Sequence, residues 1–112
     1  MRIPLVRLDR RPYVTLTLSS EADGRPINLT DATVTLTARK TGAADISFTV
    51  AIEVTEPENG ICRFHFPESS LDVPAGSYQG ELVVLFSNGD PQTVFDFLHF
   101  QVRERLAPIP KP

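Results

Sequence analysis

The chain has 112 residues, of which 41% are hydrophobic and 22% are charged, a size and composition typical of one globular domain with its own hydrophobic core. No apolar run approaches the roughly 18–20 residues of a membrane helix, and the first residues lack the apolar stretch of a secretory signal peptide. The formal net charge is −3 at pH 7, so we expect neither a membrane nor a nucleic acid as the partner of this chain.

Apolar and polar residues alternate with a period of two along most of the chain, which predicts strands. The predicted strands cover residues 3–8, 13–18, 32–38, 46–52, 61–66, 78–86 and 93–102. Turn signals separate them, including Asp-Gly at Gly24, Asn-Gly at Gly60 and the segment 87–90. A short helical turn is expected at residues 67–71, and no long helix. The pattern indicates an all-β fold, most simply an immunoglobulin-like antiparallel β-sandwich of about seven strands.

The end of the chain differs in composition from the rest. Residues 1–103 are predicted to form one domain, and residues 104–112 a proline-rich C-terminal arm. Pro108 and Pro110 lack the backbone N–H that a strand ladder needs, and they favour an extended, polyproline-like arm. The arm is either a frayed end or a segment that orders on a partner, so both prolines are candidate interface residues.

The segment that leads into the sixth predicted strand is typical of a tyrosine corner. A leucine is followed by a glycine turn at Gly76 and by Tyr78, which enters the strand. In such a corner the ring packs in the core and the hydroxyl binds a backbone group a few residues upstream. The alternative is an ordinary core tyrosine without that hydrogen bond.

The last two predicted strands form a hairpin that is apolar on both faces. If Tyr78 points inward, Val83 and Leu85 point outward. Phe95 and Phe97 share one face of the second strand, and the opposite face is also mostly apolar. Whichever of these two faces points into the core, two large apolar side chains remain on the outside. A patch of this kind indicates an interface with another subunit. The alternative is that a loop, the N-terminal segment or the C-terminal arm covers it.

Basic residues are concentrated at the two ends of the chain. The first eleven residues hold four arginines, including Arg10 and Arg11, against one aspartate, and residues 103–112 hold three basic side chains against one glutamate. Residues 12–102 carry four basic and twelve acidic side chains, a net charge of −8. The basic ends could dock on acidic bodies of neighbouring copies or on an acidic partner. The alternative is that this distribution only aids solubility.

No catalytic, cofactor or metal motif is recognisable, and we expect a protein that is not an enzyme. Cys62 is the only cysteine and lies in phase with two phenylalanines, which predicts a small buried core residue. His65 and His99 lie in separate strands, without an acidic cluster common to both. The acidic residues of the segment 53–58 either bind calcium weakly or form a solvated loop.

The chain resembles the N-terminal immunoglobulin-like domain of the phage baseplate upper protein family and of related small tail and virion proteins. The resemblance extends over residues 13–102, and its residues set turns and strands rather than chemistry. They are Asp23, Gly24, Pro26, Ile27, Leu29, Thr30, Ala32, Val34, Gly76, Tyr78, Glu81, Gly89 and Phe97. Baseplate upper proteins usually continue into further domains, so the shorter chain favours a stand-alone virion component.

The resemblance implies a structural component of a tailed-phage virion, associated with the tail, baseplate, neck or capsid. Its partners would be other virion proteins, with a homo-oligomer in the assembled particle, and its location would be the virion after synthesis in the host cytoplasm. The alternative is a carbohydrate- or cell-surface-binding module. That alternative is weaker, because the chain has no tryptophan and only two tyrosines as stacking platforms.

Overall fold

The computed structural model of the chain describes residues 2–11, 13–20, 23–67, 70–94 and 98–107. This part contains eight strands, a 3₁₀ turn at Pro57–Asn59 and no α-helix. The strands are β1 (Arg2–Val6), β2 (Val14–Thr17), β3 (Thr33–Lys40), β4 (Ile46–Glu56), β5 (Ile61–Phe64), β6 (Gly76–Leu85), β7 (Pro91–Thr93) and β8 (Leu98–Arg103). The predicted all-β fold is confirmed. None of the described residues belongs to a helix that could cross a membrane.

The strands form one mixed sheet in the order β1-β8-β6-β3-β4-β5-β2, and β7 also pairs with β6. The β1–β8 pair is parallel, and the other pairs are antiparallel. Strand β4 joins the two parts of the sheet, because residues up to Ile52 pair with β3 and residues from Glu53 onward pair with β5. This ladder is continuous, so the two separate layers of the expected sandwich stay a prediction.

The sheet curls around a single core. Phe64 and Phe66, in and just after β5, contact Phe100 of β8 with ring centroids 6.4 and 6.3 Å apart, although three strands separate β5 from β8 in the sheet order. The core that they form is apolar: among the described residues no charged side chain is buried. Burial of this apolar surface is the main source of stability for such a fold.

The hairpin at the end of the chain is less regular than its sequence pattern predicts. Strand β6 pairs with β7 through Val83↔Thr93 and with β8 through Gly80↔Leu98. Gly80 and Val83 are three residues apart along β6, whereas their partners Thr93 of β7 and Leu98 of β8 are five residues apart along the chain. The pairing with β6 is therefore offset by two residues between β7 and β8, and an even offset leaves the inward and outward alternation of side chains unchanged.

The first strand is shorter than predicted. It ends at Val6, and Leu8 has a φ of 71°, in the left-handed region that a non-glycine residue enters at a cost of about 1–2 kcal/mol. The backbone N–H of Leu8 donates to the Leu71 carbonyl at 3.1 Å. This turn directs the chain away from β8 and towards β2.

The tyrosine corner has the predicted geometry. Tyr78 is buried at 1% exposure, and its hydroxyl donates a hydrogen bond to the Pro74 carbonyl, four residues upstream. Burial raises the pKa of Tyr78, which keeps the hydroxyl protonated and able to donate. Gly76 opens β6 with a φ of 149°, a conformation that favours glycine.

Tyr78→Phe is expected to lower the free energy of unfolding by about 1–2 kcal/mol, because it leaves the Pro74 carbonyl without this donor. Chemical denaturation of both proteins measures the difference. Tyr13→Phe is the control, since Tyr13 is exposed and no hydrogen bond is seen for its hydroxyl among the described residues. An unchanged stability in Tyr78→Phe would contradict a structural role for the hydrogen bond.

Candidate functional site

The outer face of the hairpin carries only part of the predicted apolar patch. Val83 is half-buried and has Thr35 and Thr93 as its cross-strand neighbours. Leu85 is 48% exposed. Phe95 and Phe97 lie outside the described residues, so the predicted interface on this face stays a prediction.

A second candidate surface lies where the chain passes from β1 to β2, the two strands at opposite ends of the strand order. Strand β1 pairs with β8, and β2, which follows it in sequence, pairs with β5. The described residues between the two strands, 7–11 and 13, are here named the crossing segment. His65 directly follows β5 and Arg105 follows β8 by two residues, so the topology brings residues from distant parts of the sequence to the crossing segment.

The crossing segment is attached to the rest of the domain through its backbone and through Arg7. The Phe66 N–H donates to the Arg10 carbonyl at 3.2 Å. The Arg7 guanidinium forms ion pairs with Asp72 at 2.8 Å and with Glu104 at 3.0 Å. Hydrogen bonds to these two carboxylates raise the pKa of Arg7. Residue 104, the start of the predicted C-terminal arm, therefore contacts the domain, whereas Pro108 and Pro110 lie outside the described residues.

The crossing segment borders an open groove of about 660 Å³, here named the arginine groove. It is lined by Leu8, Asp9, Arg10, Arg11, Tyr13, His65 and Arg105. Among the described residues that line it are three arginines and one histidine, against one acidic residue, Asp9. Arginine presents several N–H donors in a planar fork that matches a carboxylate or a phosphate, so the arrangement is suited to an anionic ligand.

The three arginines of the groove are not equivalent. Arg105 forms an ion pair with Asp9 through Nη1, and its Nε is buried without a hydrogen-bond partner in the part of the chain that the structure describes. Arg10 and Arg11 are exposed, and neither forms an ion pair with a described residue. Arg10 and Arg11 are therefore the groove cations available to an incoming anion.

Tyr13 forms the aromatic side of the arginine groove. Its ring contacts two side chains, that of Arg63 in β5 and that of His65 just after β5. The Arg63 guanidinium lies 4.6 Å from the ring centroid, and the His65 ring lies 4.8 Å away, centroid to centroid. Arg63 is oriented in turn by Glu53 at 2.7 Å. Because two side chains already contact the ring, Tyr13 is poorly suited to be the open stacking platform that a carbohydrate-binding module needs.

Cys62 is fully buried, as predicted, and burial raises the pKa of its thiol to about 11. At neutral pH it is a thiol rather than a nucleophilic thiolate. Within the described ranges, no group of three His, Cys, Asp or Glu side chains could hold a metal ion. In the acidic segment, Glu53 is paired with Arg63.

The sequence pattern singled out two of the seven described groove residues, Arg10 and Arg11, as interface candidates. Both line the groove, and their role as interface residues stays a prediction. Tyr13, His65 and Arg105 are distant from one another in sequence, and no local pattern links them. The one available signal was the basic charge at both chain ends, which the β1–β8 pairing brings together.

No family model and no curated protein matches the chain. Among solved structures, the chain is similar to CopC from Methylosinus trichosporium OB3b, with 13% sequence identity, coverage of 96% of this chain and 90% of the other, and a TM-score of 0.51. At this identity the likeness shows the fold alone.

The resemblance to the baseplate upper protein family stays a prediction, since no family model supports it. The expected role as a structural component of a tailed-phage virion is contradicted, because the similar structure, CopC, is not a phage protein. The physical reason is that the residues behind the resemblance are turn and strand residues. They specify a β fold that proteins outside virions also adopt.

Proposed function

We propose that this chain is a non-catalytic binding module that holds an acidic segment of a partner protein in the arginine groove. The observation that carries the proposal is the convergence of Arg10, Arg11 and Arg105 on one groove, whose described lining residues include a single acidic one, Asp9. An acidic segment would pair with Arg10 and Arg11, which form no ion pair with a described residue.

The walls of the groove favour a polypeptide over a bare inorganic anion. Leu8, 37% exposed, and Tyr13, 43% exposed, supply apolar surface beside the guanidinium groups. A peptide covers such surface with its own side chains while its carboxylates reach the arginines. Binding of this kind gains from apolar burial and from charge pairing, and its electrostatic part weakens as the salt concentration rises.

An acidic protein segment also fits the groove better than a nucleic acid does. Residues 12–102 carry a net charge of −8, so a phosphate backbone that extends beyond the groove would meet an acidic body. A short acidic segment needs only the groove itself. Charge complementarity of this kind mainly sets the partner choice and the association rate.

The proposal is tested with a short oligoglutamate peptide and isothermal titration calorimetry at low salt. We expect the Arg10→Gln/Arg11→Gln double variant to bind the peptide about tenfold more weakly than the natural chain, because two charge-assisted contacts are lost. Both arginines are exposed, so the fold should be retained, which circular dichroism checks.

The matched control is the Arg2→Gln/Arg25→Gln double variant. It removes the same charge from two exposed arginines that do not line the groove, and its affinity should stay close to that of the natural chain. Equal weakening in the two double variants would show that net charge alone attracts the peptide. Absence of binding by the natural chain at low salt would overturn the proposed function.

A further inference from the structure

The strand order of the curled sheet ends in two edges, β1 and β2, whereas β7 lies off this order and pairs with β6. An edge strand presents unpaired backbone N–H and C=O groups, onto which another strand can pair. For β2, the backbone hydrogen bonds to described residues are those of the ladder with β5. The other edge of Val14–Thr17 thus carries no described backbone partner.

The two edges differ in how they are protected. In β1 the central residue is Pro4, which has no N–H to donate, and the strand begins with a charged residue, Arg2. Proline and charge are the features by which proteins usually prevent an edge from pairing. Strand β2 has the sequence Val-Thr-Leu-Thr, with neither feature. It is a strand whose edge remains competent to pair.

The edge of β2 is continuous with the arginine groove. Tyr13, a groove residue, directly precedes Val14, the first residue of β2. A strand rises about 3.3 Å per residue, so a peptide paired along the four residues of β2 would reach the groove with its next residues. Thr15 and Thr17 are exposed and Leu16 is buried, so the outward side of β2 is small and uncharged.

We propose that the acidic segment binds as an added strand along the edge of β2, with its acidic end in the arginine groove. Backbone hydrogen bonds to β2 supply affinity, and the carboxylates on Arg10 and Arg11 set the direction and register of the added strand. This inference rests on the proposed function, since it takes the same acidic segment and assigns it a conformation and a second contact surface.

The experiment uses a synthetic peptide with glutamates at one end and alternating threonine and valine at the other. Two further versions carry N-methyl groups on alternate backbone nitrogens, one on the odd and one on the even positions. In an added strand only alternate N–H groups face the neighbour. We therefore expect one methylated version to bind about tenfold more weakly and the other to bind like the parent peptide.

Amide hydrogen exchange gives a second readout on the protein. Strand addition should slow the exchange of alternate amides within Val14–Thr17 when the peptide is bound. The amides of β1 are the internal control and should not change, because Pro4 interrupts that edge.

Equal binding by both methylated peptides would overturn strand addition. If the Arg10→Gln/Arg11→Gln variant still bound the parent peptide more weakly than the natural chain, the proposed function would stand without strand addition. If the natural chain did not bind the parent peptide, both the proposed function and strand addition would be overturned. Slow exchange, before any peptide is added, of the alternate β2 amides that do not face β5 would also overturn this inference. Light scattering would then tell whether a second copy, seen as a dimer, or the chain's own residues occupy the edge.

Discussion

Phe100→Ala is expected to lower the free energy of unfolding by about 3–5 kcal/mol, the largest effect of a single side-chain truncation that we predict here. Phe100 is 1% exposed. Its ring contacts those of Phe48, Phe64 and Phe66, with centroids 5.9, 6.4 and 6.3 Å away. The residue therefore joins β8 to β4 and β5, and its removal leaves a cavity in the core that the curled sheet surrounds.

Urea denaturation with a fluorescence or circular dichroism readout measures this difference. Phe86→Ala is the matched control, because Phe86 is the same residue type but is only partly buried against the core, and we expect a clearly smaller loss. Phe100→Leu should retain much of the stability, since most of the apolar volume remains. Equal losses at Phe86 and Phe100 would contradict the packed core that the ring contacts describe.

Gly60→Ala is expected to destabilise the fold by about 3 kcal/mol or more, through backbone strain and collision. Gly60 has a φ of 67°, and an added Cβ would lie 2.6 Å from the Leu18 carbonyl oxygen and 2.9 Å from that of Ile27. These atoms are backbone and cannot rotate away. The Leu18 N–H also donates to the Gly60 carbonyl at 2.8 Å, so a shift would weaken that hydrogen bond too.

Gly24→Ala and Gly42→Ala separate the two causes of this loss. Both glycines have a positive φ, 71° and 84°, but an added Cβ would meet no atom within 4 Å at either. They should lose only the conformational cost, about 1 kcal/mol. Thermal unfolding of the three variants gives the comparison. A loss at Gly60 no greater than at Gly24 and Gly42 would contradict the close approach of the three backbone segments.

The tyrosine corner and the core face of β6 could be predicted from the sequence because their signals are local. Alternation selects Leu82 and Val84 as inward residues, and both are buried. Gly76 and Tyr78 lie close to Pro74, whose carbonyl accepts the hydrogen bond. The two-residue offset between β7 and β8 could not be predicted, because an even offset keeps the alternation in phase.

The error in the expected function has a related cause. The residues that resemble the phage family, such as Gly24, Gly76 and Tyr78, serve turns and packing, and such positions recur in proteins with unrelated roles. The similarity to CopC contradicts the virion role. The role of Arg10 and Arg11 as interface residues stays a prediction, which the peptide titration tests.

By itself, the sequence determined the all-β class, most strand positions, the turn at Gly60 and the corner at Tyr78. Each depends on residues that are near one another along the chain, where side-chain alternation and backbone preference act directly. Only the tertiary structure decided that β2 is an edge and that Tyr13, His65 and Arg105 meet in the arginine groove. Those features depend on how the sheet curls and which strands pair, and long-range packing sets both.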